Sequence, residues 1–238
     1  VIDRNSVQFC MQKGSLLWMF YREKLSEKAC GQLEELIKFS ADGIRKHSVK
    51  PGYTNIFLMK VWNCIALGEN TGRPDLVEEG CRLFDEWLAY TAKNGVREYL
   101  SPTYTGTDLE SLSLLVKFAK KEDVRKKAET ALRFFWTDIS ANWFAPAERL
   151  GGAHSRDYDY LTGHGLLDRW VQEAGWPTPG KSRTNSATTS STNSRFGRRL
   201  ANSWKSTATL RPDSSGNTGA KSPKSGRPNT WARASASA

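Results

Sequence analysis

Two kinds of helical segment alternate along this chain. From Thr54 to Gly68 apolar residues surround the predicted helix almost completely, which is typical of a helix buried on all sides. The next segment begins at Pro74, stops at Asn94-Gly95 and is apolar on one face only, which indicates an outer helix. Inner-type segments begin near residues 54, 107 and 161. This period predicts a repeated unit of inner helix, tight turn, outer helix and long loop.

The alternation extends in both directions. Thr107-Asp108-Leu109-Glu110 has the pattern of a capping box that opens the second inner helix, and residues 122–142 follow as an outer helix. Upstream, an outer helix from Ser26 to Lys46 follows an inner helix around Val7 to Arg22. We therefore expect an all-α domain of antiparallel helical hairpins over residues 1–176.

Two polar, aromatic loops interrupt these helices. One covers residues 98–104 (EYLSPTY) and the other residues 151–160 (GGAHSRDYDY). Because each hairpin returns the chain to its starting side, the long loops should all lie at the N-terminal ends of the inner helices. Loops rich in titratable and ring side chains are where binding and catalytic groups tend to lie on a rigid scaffold. The sequence therefore predicts an active-site rim.

Charge is distributed unevenly along the chain. Residues 1–176 contain 24 Lys and Arg and 24 Asp and Glu, whereas residues 177–238 contain 11 basic residues and a single acidic one, Asp213. The net charge of +10 therefore belongs to the C-terminal segment. That segment is rich in Ser, Thr, Arg and Gly and poor in branched apolar residues, so we expect a disordered basic tail. A neutral domain gives no reason to expect a nucleic-acid partner, except non-specifically through the tail.

The residue patterns argue against several other partners. No stretch approaches the eighteen or so apolar residues of a membrane span, so we expect no membrane partner. The histidines lack the one-face spacing of a zinc helix, and no phosphate-binding Gly loop occurs, so we expect no metal and no cofactor. The four cysteines show neither zinc nor redox spacing and are predicted to be buried free thiols. The sequence leaves the localisation open.

The alternation of apolar inner and amphipathic outer helices, with aromatic, His and acidic residues on the connecting loops, resembles the (α/α) toroid superfamily. That superfamily contains six-hairpin glycosidases and polysaccharide lyases, including heparinase-like and alginate-lyase-like enzymes. The resemblance covers residues 1–176 and rests on architecture and residue character rather than on an aligned catalytic motif. A complete toroid has about six hairpins whereas this chain supplies three to four, so we interpret it as a fragment or an open arc.

The resemblance implies a carbohydrate-active enzyme with an oligo- or polysaccharide substrate. A lyase that cleaves a uronate polymer must neutralise the sugar carboxylate, remove the proton beside it and protonate the leaving oxygen. The residues that match these roles in type are His154 or Tyr158 as the base and Tyr104 or Tyr158 as the acid. Arg156 is the expected carboxylate clamp.

Other rim residues are assigned to substrate binding. Asn55, at the start of an inner helix, would share the carboxylate clamp through its amide. Tyrosine rings would stack on sugar rings at the edge of the site. The predicted substrate-binding residues are Asn55, Tyr99, Asp157, Tyr160 and His164.

A glycoside hydrolase is the alternative enzyme, and it would use one carboxylate as acid and another as base or nucleophile. The available rim carboxylates are Glu98, Asp108, Asp157 and Asp159. Asp108 is also explained as a charge at a helix N-terminus, and Asp157 as an ion-pair partner of Arg156. Glu98 has no such structural explanation and is therefore kept as a catalytic candidate.

A third hypothesis is a non-catalytic helical-repeat module that binds a peptide or a partner helix on its concave face. It predicts that the aromatic groups of the rim do not converge with His, Arg and carboxylate groups. Among the enzymes, we favour the lyase slightly because the later loop combines His154, Arg156 and Tyr158.

Overall fold

The computed structural model describes residues 3–158 and 163–176. These residues are predominantly helical, so the protein is all-α and the predicted fold class is confirmed. The helices of the described residues are α1 (Ser6–Tyr21), α2 (Glu27–Lys46), α3 (Thr54–Thr71), α4 (Pro74–Asn94), α5 (Tyr104–Phe118), α6 (Glu122–Asn142) and α7 (Leu166–Glu173). Short 3-10 helices cover Arg22–Lys24 and Ala145–Ala147, and β1 (Trp143–Phe144) pairs antiparallel with β2 (Arg149–Leu150).

Helix α3 lies at the centre of the core. Every residue from Thr54 to Gly68 is buried. The helix packs against α1, α2, α4 and α5, which explains why its apolar residues surround the axis instead of forming one stripe. One of its buried polar groups, Asn63 Nδ2, donates to the backbone and side-chain oxygens of Gln8 on α1 at 3.0 and 2.9 Å.

Helices α4 and α6 each bury one face, and aromatic rings from the two helices are in contact. The Trp87 ring stacks on Phe84 of its own helix and on Phe135 of α6, with centroid distances of 6.2 and 6.3 Å. Full burial of an aromatic side chain stabilises a fold by about 1.5–3 kcal/mol. This stack is therefore an apolar contact between α4 and α6, whereas the larger interface between the second and third hairpins is that of α3 with α5.

The inner helices α1, α3 and α5 run parallel, and the N-terminal ends of α3 and α5 lie at one end of the domain. Pairs of contacts at increasing positions along the helices establish this direction. They are Gln8 with Asn63 and Trp18 with Asn70 between α1 and α3, and Gln12 with Ser111 and Phe20 with Phe118 between α1 and α5. Because α1 contacts α5 as well as α3, these three inner helices form a compact bundle rather than a single row.

The turn between α3 and α4 shows how the hairpins are closed at the opposite end. Gly72 has a φ of 69°, a left-handed conformation that favours glycine, and Pro74 occupies the first turn of α4. A Cβ at Gly68 would lie 2.7 Å from Val77 Cγ2, so glycine permits the two helices to approach closely here. This turn follows from local sequence alone.

The C-terminal part of the described chain returns to the N-terminal end of α5. Helix α7 packs on α5 at Gly106, where a Cβ would lie 2.9 Å from the Leu166 carbonyl carbon. The Leu167 N–H donates to the Pro102 carbonyl at 2.8 Å. The sequence predicted this helix to begin near Leu161, whereas α7 begins at Leu166, and residues 159–162 lie outside the described residues. The tail expected over residues 177–238 also lies outside them.

Two local predictions are wrong. Helix α5 begins at Tyr104, so Thr107 lies inside the helix and donates its hydroxyl to the Thr103 carbonyl instead of forming a capping box. Of the four free cysteines, Cys64 is buried, Cys30 and Cys81 are half-buried, and Cys10 is exposed. The amphipathic pattern alone did not show which face of α1 is covered. No helix among the described residues is long and apolar enough to cross a membrane.

Candidate active site at the N-terminal ends of the inner helices

The two polar loops lie against each other. The Ser155 N–H donates to the Tyr99 carbonyl at 3.0 Å, and His154 Nδ1 lies 3.3 Å from the Leu100 carbonyl oxygen. The Ser101 hydroxyl donates to the Arg156 carbonyl at 3.2 Å. The expectation that these loops meet at one end of the domain is therefore confirmed. We call the residues of these loops, together with the first turns of α3 and α5, the rim.

Three predicted residues converge in the rim. Arg156 Nε donates to the Tyr158 hydroxyl at 3.0 Å, and Arg156 Nη2 donates to the Tyr104 hydroxyl at 3.3 Å. The two hydroxyl oxygens lie 3.0 Å apart. The two tyrosines thus occupy one edge of the guanidinium fork, much as the two oxygens of a carboxylate would. No hydrogen bond from the described residues engages Nη1 on the other edge.

The two tyrosines are electrostatically unequal. Burial and the hydrogen bond to Tyr158 raise the pKa of Tyr104 to about 12. The hydrogen bonds from Tyr104 and Arg156 lower the pKa of Tyr158, whose side chain is exposed. Either hydroxyl can donate in the bond between them, and the opposite directions of the two pKa shifts favour a phenolate on Tyr158 over one on Tyr104. The same contacts raise the pKa of Arg156, led by its hydrogen bond to Tyr104, so this guanidinium stays charged.

Aromatic rings surround Arg156 on several sides. Its Cζ lies 5.3 Å from the Tyr104 ring centroid, 5.8 Å from that of Tyr158 and 5.9 Å from that of Tyr53. Cation–π contacts of this kind favour the charged guanidinium and fix its position. Arg156 also has a φ of 55°, a left-handed conformation that is uncommon for a residue with a side chain. The surrounding contacts maintain that backbone conformation.

Beneath the tyrosines lies a buried carboxylate, Glu98. It accepts from the Asn55 N–H at 3.1 Å and from Asn55 Nδ2 at 3.0 and 2.8 Å. The carboxylate lies at the N-terminus of α3, where its negative charge is favourable. The sequence analysis found no structural partner for Glu98 and assigned the Asn55 amide to the substrate. The structure instead pairs the two residues with each other.

Asp108 is buried close to the Glu98 charge. Burial, and then the negative charge of Glu98, raise the pKa of Asp108 well above its usual range. Neither of its carboxyl oxygens has a hydrogen-bond partner among the described residues. The interpretation of Asp108 as a charge at a helix N-terminus is wrong, because α5 begins a full turn earlier, at Tyr104. A carboxyl group in these surroundings is neutral over much of the pH range.

The three histidines differ in which ring nitrogens are engaged by neighbouring groups. His154 Nδ1 faces the Leu100 carbonyl, which can only accept, so Nδ1 is the donor in this contact and Nε2 is the nitrogen left for other partners. His164 Nδ1 contacts Asp168 Oδ2 at 3.1 Å, which makes an ion pair within α7 and its preceding residues when the ring is protonated. His47 Nδ1 lies 3.2 Å from Gln8 Nε2, and burial lowers its pKa, so it has a structural place beside α1.

The remaining predicted residues are placed as follows. Tyr99 has an exposed side chain, and its backbone carbonyl is the group that joins the loops. Asp157 is half-buried beside Arg156 in the chain. Tyr160 and Asp159 lie outside the described residues. Within the described residues, no group of three or more His, Cys, Asp and Glu side chains is arranged to hold a metal.

Two residues, one next to the rim and one in it, were missed by the sequence reasoning. Tyr53 immediately precedes α3, and its ring lies against the Arg156 guanidinium. In the sequence, the one sign of this role was an aromatic residue next to the predicted start of an inner helix. Ser101 is fully buried and joins the loops through its hydroxyl. A small residue before a proline gives no sign of such a role.

The comparisons with known proteins gave one match. A family model described as Domain of unknown function (DUF8769) matches residues 2–189, which is more than half of the chain. Searches of curated proteins and of solved structures found nothing that matches. The chain therefore belongs to the DUF8769 family.

Proposed function

We propose that this protein is a carbohydrate-active enzyme that cleaves a uronate-containing polysaccharide by β-elimination. The observation that carries the proposal is the triangle of Arg156, Tyr104 and Tyr158, in which two hydroxyls 3.0 Å apart have pKa values shifted in opposite directions. Titratable groups whose surroundings separate their pKa values are suited to act as a base and an acid in one reaction.

The roles follow from the contacts. Tyr158, as the phenolate, removes the proton from the sugar carbon next to the carboxylate. The electrons of that C–H bond form a carbon–carbon double bond as the adjacent carbon–oxygen bond to the next sugar breaks. Tyr104 gives its proton to the leaving oxygen, so the products are one unsaturated and one ordinary chain end. The reaction needs no water as a reactant.

Arg156 neutralises the substrate carboxylate in this scheme. Its side chain is exposed, and the edge of the guanidinium with Nη1 faces no described partner. A carboxylate bound there is stabilised most when charge develops on it during proton removal. His154 remains an alternative base through Nε2.

Two of the four candidate carboxylates, Glu98 and Asp108, give the hydrolase alternative little support. Glu98 is buried and bonded to Asn55, and Asp108 is completely buried, so neither is placed to reach a glycosidic bond directly. The interaction-module alternative predicted a rim without convergence of aromatic and charged groups, whereas Arg156 meets three tyrosine rings. Parallel inner helices with loops at a shared end support the (α/α) toroid as the architectural class that we propose.

The test is an assay of the full chain against a panel of uronate polysaccharides, with neutral polysaccharides as the comparison. We expect ultraviolet absorbance of the unsaturated product from at least one uronate polymer. New reducing ends without that absorbance would favour the hydrolase, and binding without cleavage would favour the interaction module. Either result would reject the lyase.

Matched hydroxyl deletions then test the roles. Tyr158→Phe and Tyr104→Phe should each lower turnover by about 100-fold to 10,000-fold, the usual range for removal of an acid or base. Tyr21→Phe removes the same atom from an exposed tyrosine at the far end of α1 and should leave turnover unchanged. Equal effects of all three changes would contradict the assignment.

A further inference from the structure

We infer that Ser101 is a positioning residue that sets the geometry, and so the ionisation, of the Tyr104–Tyr158 pair. The inference rests on the proposed function for its catalytic consequence. Its structural basis is independent, because the hydroxyl of this one residue makes a hydrogen bond to each of the two loops that carry the pair.

The hydroxyl of Ser101 has two partners. It donates to the Arg156 carbonyl at 3.2 Å, and it accepts from the Tyr104 N–H at 3.0 Å. The first partner is 55 residues away in the chain, and the second is the first residue of α5. A single buried oxygen therefore links the backbone of the guanidinium residue to the backbone of the acid.

Because Ser101 is buried, loss of its two hydrogen bonds should have a large effect. Ser101 is 0% exposed, so water cannot replace a lost partner. Removal of the hydroxyl would leave both the Arg156 carbonyl and the Tyr104 N–H without this partner. Because Arg156 has a left-handed φ, its backbone would be expected to relax once the carbonyl is released. The guanidinium and the Tyr104 hydroxyl would then move apart.

The backbone on both sides of Ser101 is held in place, so it cannot simply shift to replace the hydrogen bonds of a lost Ser101 hydroxyl. Ser101 precedes Pro102, which restricts Ser101 to extended conformations, and the Pro102 carbonyl accepts from Leu167. Tyr99 and Leu100, on the other side, are held by Ser155 and His154. Ser101 therefore lies in the middle of a loop whose backbone is held by hydrogen bonds on both sides. Its hydroxyl is the group that binds the Arg156 backbone.

The charges around the tyrosine pair determine how a change in its geometry would alter the ionisation of Tyr158. Tyr158 faces the Tyr104 hydroxyl and the Arg156 guanidinium, which favour its phenolate, and the more distant Glu98 carboxylate, which opposes it. If Arg156 moves away, the opposing charge remains. Loss of the Ser101 hydroxyl should therefore move the ionisation of Tyr158 to higher pH.

The experiment measures ionisation and turnover separately in the full chain. Tyrosine labelled at the ring carbon that bears the hydroxyl is followed by NMR as a function of pH, and Tyr158→Phe assigns the Tyr158 signal. In Ser101→Ala we expect the Tyr158 titration to shift to higher pH, and kcat on the cleaved polymer to fall by about 10-fold to 100-fold with a smaller change in KM. Ser101→Cys keeps a weak hydrogen-bond donor, so its Tyr158 titration and its kcat should lie between those of Ser101→Ala and the unsubstituted protein.

The control is Ser15→Ala. Ser15 is 1% exposed and its hydroxyl also donates to a carbonyl, that of Gln12 at 3.3 Å, but both residues lie on α1 away from the tyrosine pair. This change should leave the titration and turnover at the values of the unsubstituted protein. Circular dichroism checks that all variants are folded.

The outcomes separate this inference from the proposed function. If no polymer is cleaved but the Tyr158 titration shifts in Ser101→Ala, the lyase is rejected and the positioning role stands. If Ser101→Ala folds and titrates like the unsubstituted protein, the inference is overturned, whatever the enzyme does. Unfolding of both Ser101→Ala and Ser101→Cys would assign the residue to folding and would also overturn it.

Discussion

The two ends of the helical bundle are connected in different ways. At the rim, the bonds between loops join residues far apart in sequence, such as Ser101 with Arg156. At the opposite end, the turns are short and many bonds are local: Arg73 binds Asp75 through Nε and Nη2, and Arg125 caps the Ala119 carbonyl. Long-range bonds also occur at that end, such as those from the Lys120 N–H to the Glu69 carboxylate at 2.9 and 3.0 Å and from Trp18 Nε1 to the Asn70 carbonyl at 3.3 Å.

This difference separates a structural end from a candidate functional end. A tight turn with a left-handed glycine and a helix-opening proline needs no help from elsewhere in the chain. The rim instead contains two non-glycine residues with positive φ, Leu100 and Arg156, whose conformations depend on long-range contacts. Substitutions at the two ends should therefore affect different properties of the protein.

The largest contrast is expected for two arginines. Arg156→Ala should lower turnover on the cleaved polymer by about 100-fold to 10,000-fold, because the carboxylate clamp and the partner of both tyrosines are lost. Helical content should be unchanged, because the side chain is exposed. Turnover and circular dichroism measure the two effects. Unfolding, with residual turnover in proportion to folded protein, would make Arg156 structural.

The matched control is Arg125→Ala at the opposite end. Arg125 Nη1 donates to the Ala119 and Lys120 carbonyls at 2.8 Å each. Its loss should lower the free energy of unfolding by about 1 kcal/mol and leave turnover unchanged. A large loss of turnover here would show that the two ends are coupled.

Close packing of α7 on α5 should make Gly106 sensitive to substitution. In Gly106→Ala the new Cβ would lie 2.9 Å from the Leu166 carbonyl carbon and the Leu167 nitrogen, which are backbone atoms. We expect the free energy of unfolding to fall by about 1–3 kcal/mol, measured by urea denaturation. Gly31→Ala on α2 meets nothing within 4 Å and should instead raise stability by up to about 1 kcal/mol. Equal effects would mean that α7 does not pack on α5 in this way.

The pH dependence of stability should differ in sign between Asp108, a buried carboxyl close to Glu98 of the rim, and a carboxyl at the opposite end. The folded-state pKa of Asp108 is raised, chiefly by burial, so the folded protein keeps a proton that the unfolded chain loses above about pH 4. Stability should then fall as pH rises through this window, by about 1.4 kcal/mol per pH unit, until the folded-state pKa is reached. Asp108→Asn should remove this slope. An unchanged slope in urea denaturation at several pH values would show that Asp108 ionises normally.

Asp75 provides the opposite case. Its hydrogen bond from Arg73 lowers its pKa to about 2. Its contribution is therefore present above about pH 4 and is lost as pH falls through the folded-state value. Asp75→Asn should flatten the acid side of the stability profile and leave the region above it unchanged. The effect should be small, because the group is exposed.

The smallest effects are expected at two left-handed glycines. Gly72, at the structural end, has a φ of 69°, and Gly152, in the rim, has a φ of 80°; neither has an atom within 4 Å of a built Cβ. Alanine at either position should lower stability by about 1 kcal/mol, because only the backbone conformation is penalised. Only Gly152→Ala should also change turnover. A change in turnover for Gly72→Ala would remove the distinction between the two ends.

The helices were predicted well and their junctions less well. The observed bounds of α4 and α6 are those that the sequence indicated, because Pro74, Gly95 and the one-sided apolar pattern are local signals. The start of α5 was predicted three residues too late. Thr107 and Glu110 imitate a capping box, but the first turn is instead set by the Ser101 hydroxyl, which accepts from the Tyr104 N–H.

The sequence predicted which residues belong to the candidate site better than it predicted how they are arranged. Tyr104, Arg156 and Tyr158 were selected by residue type, and the structure brings them together. Their hydrogen bonds and relative pKa values depend on distances between loops that are more than 50 residues apart, which no local pattern encodes. The pairing of Glu98 with Asn55 was missed for the same reason.

The sequence alone therefore determined the helical class and the extent of the outer helices, because periodicity, glycine and proline act over a few residues. Tertiary structure alone decided which polar groups meet, which carboxyl groups are buried and which tyrosine ionises first. These properties depend on how densely packed helices place distant loops side by side, since burial and hydrogen bonding set the charge of each group only after the chain has folded.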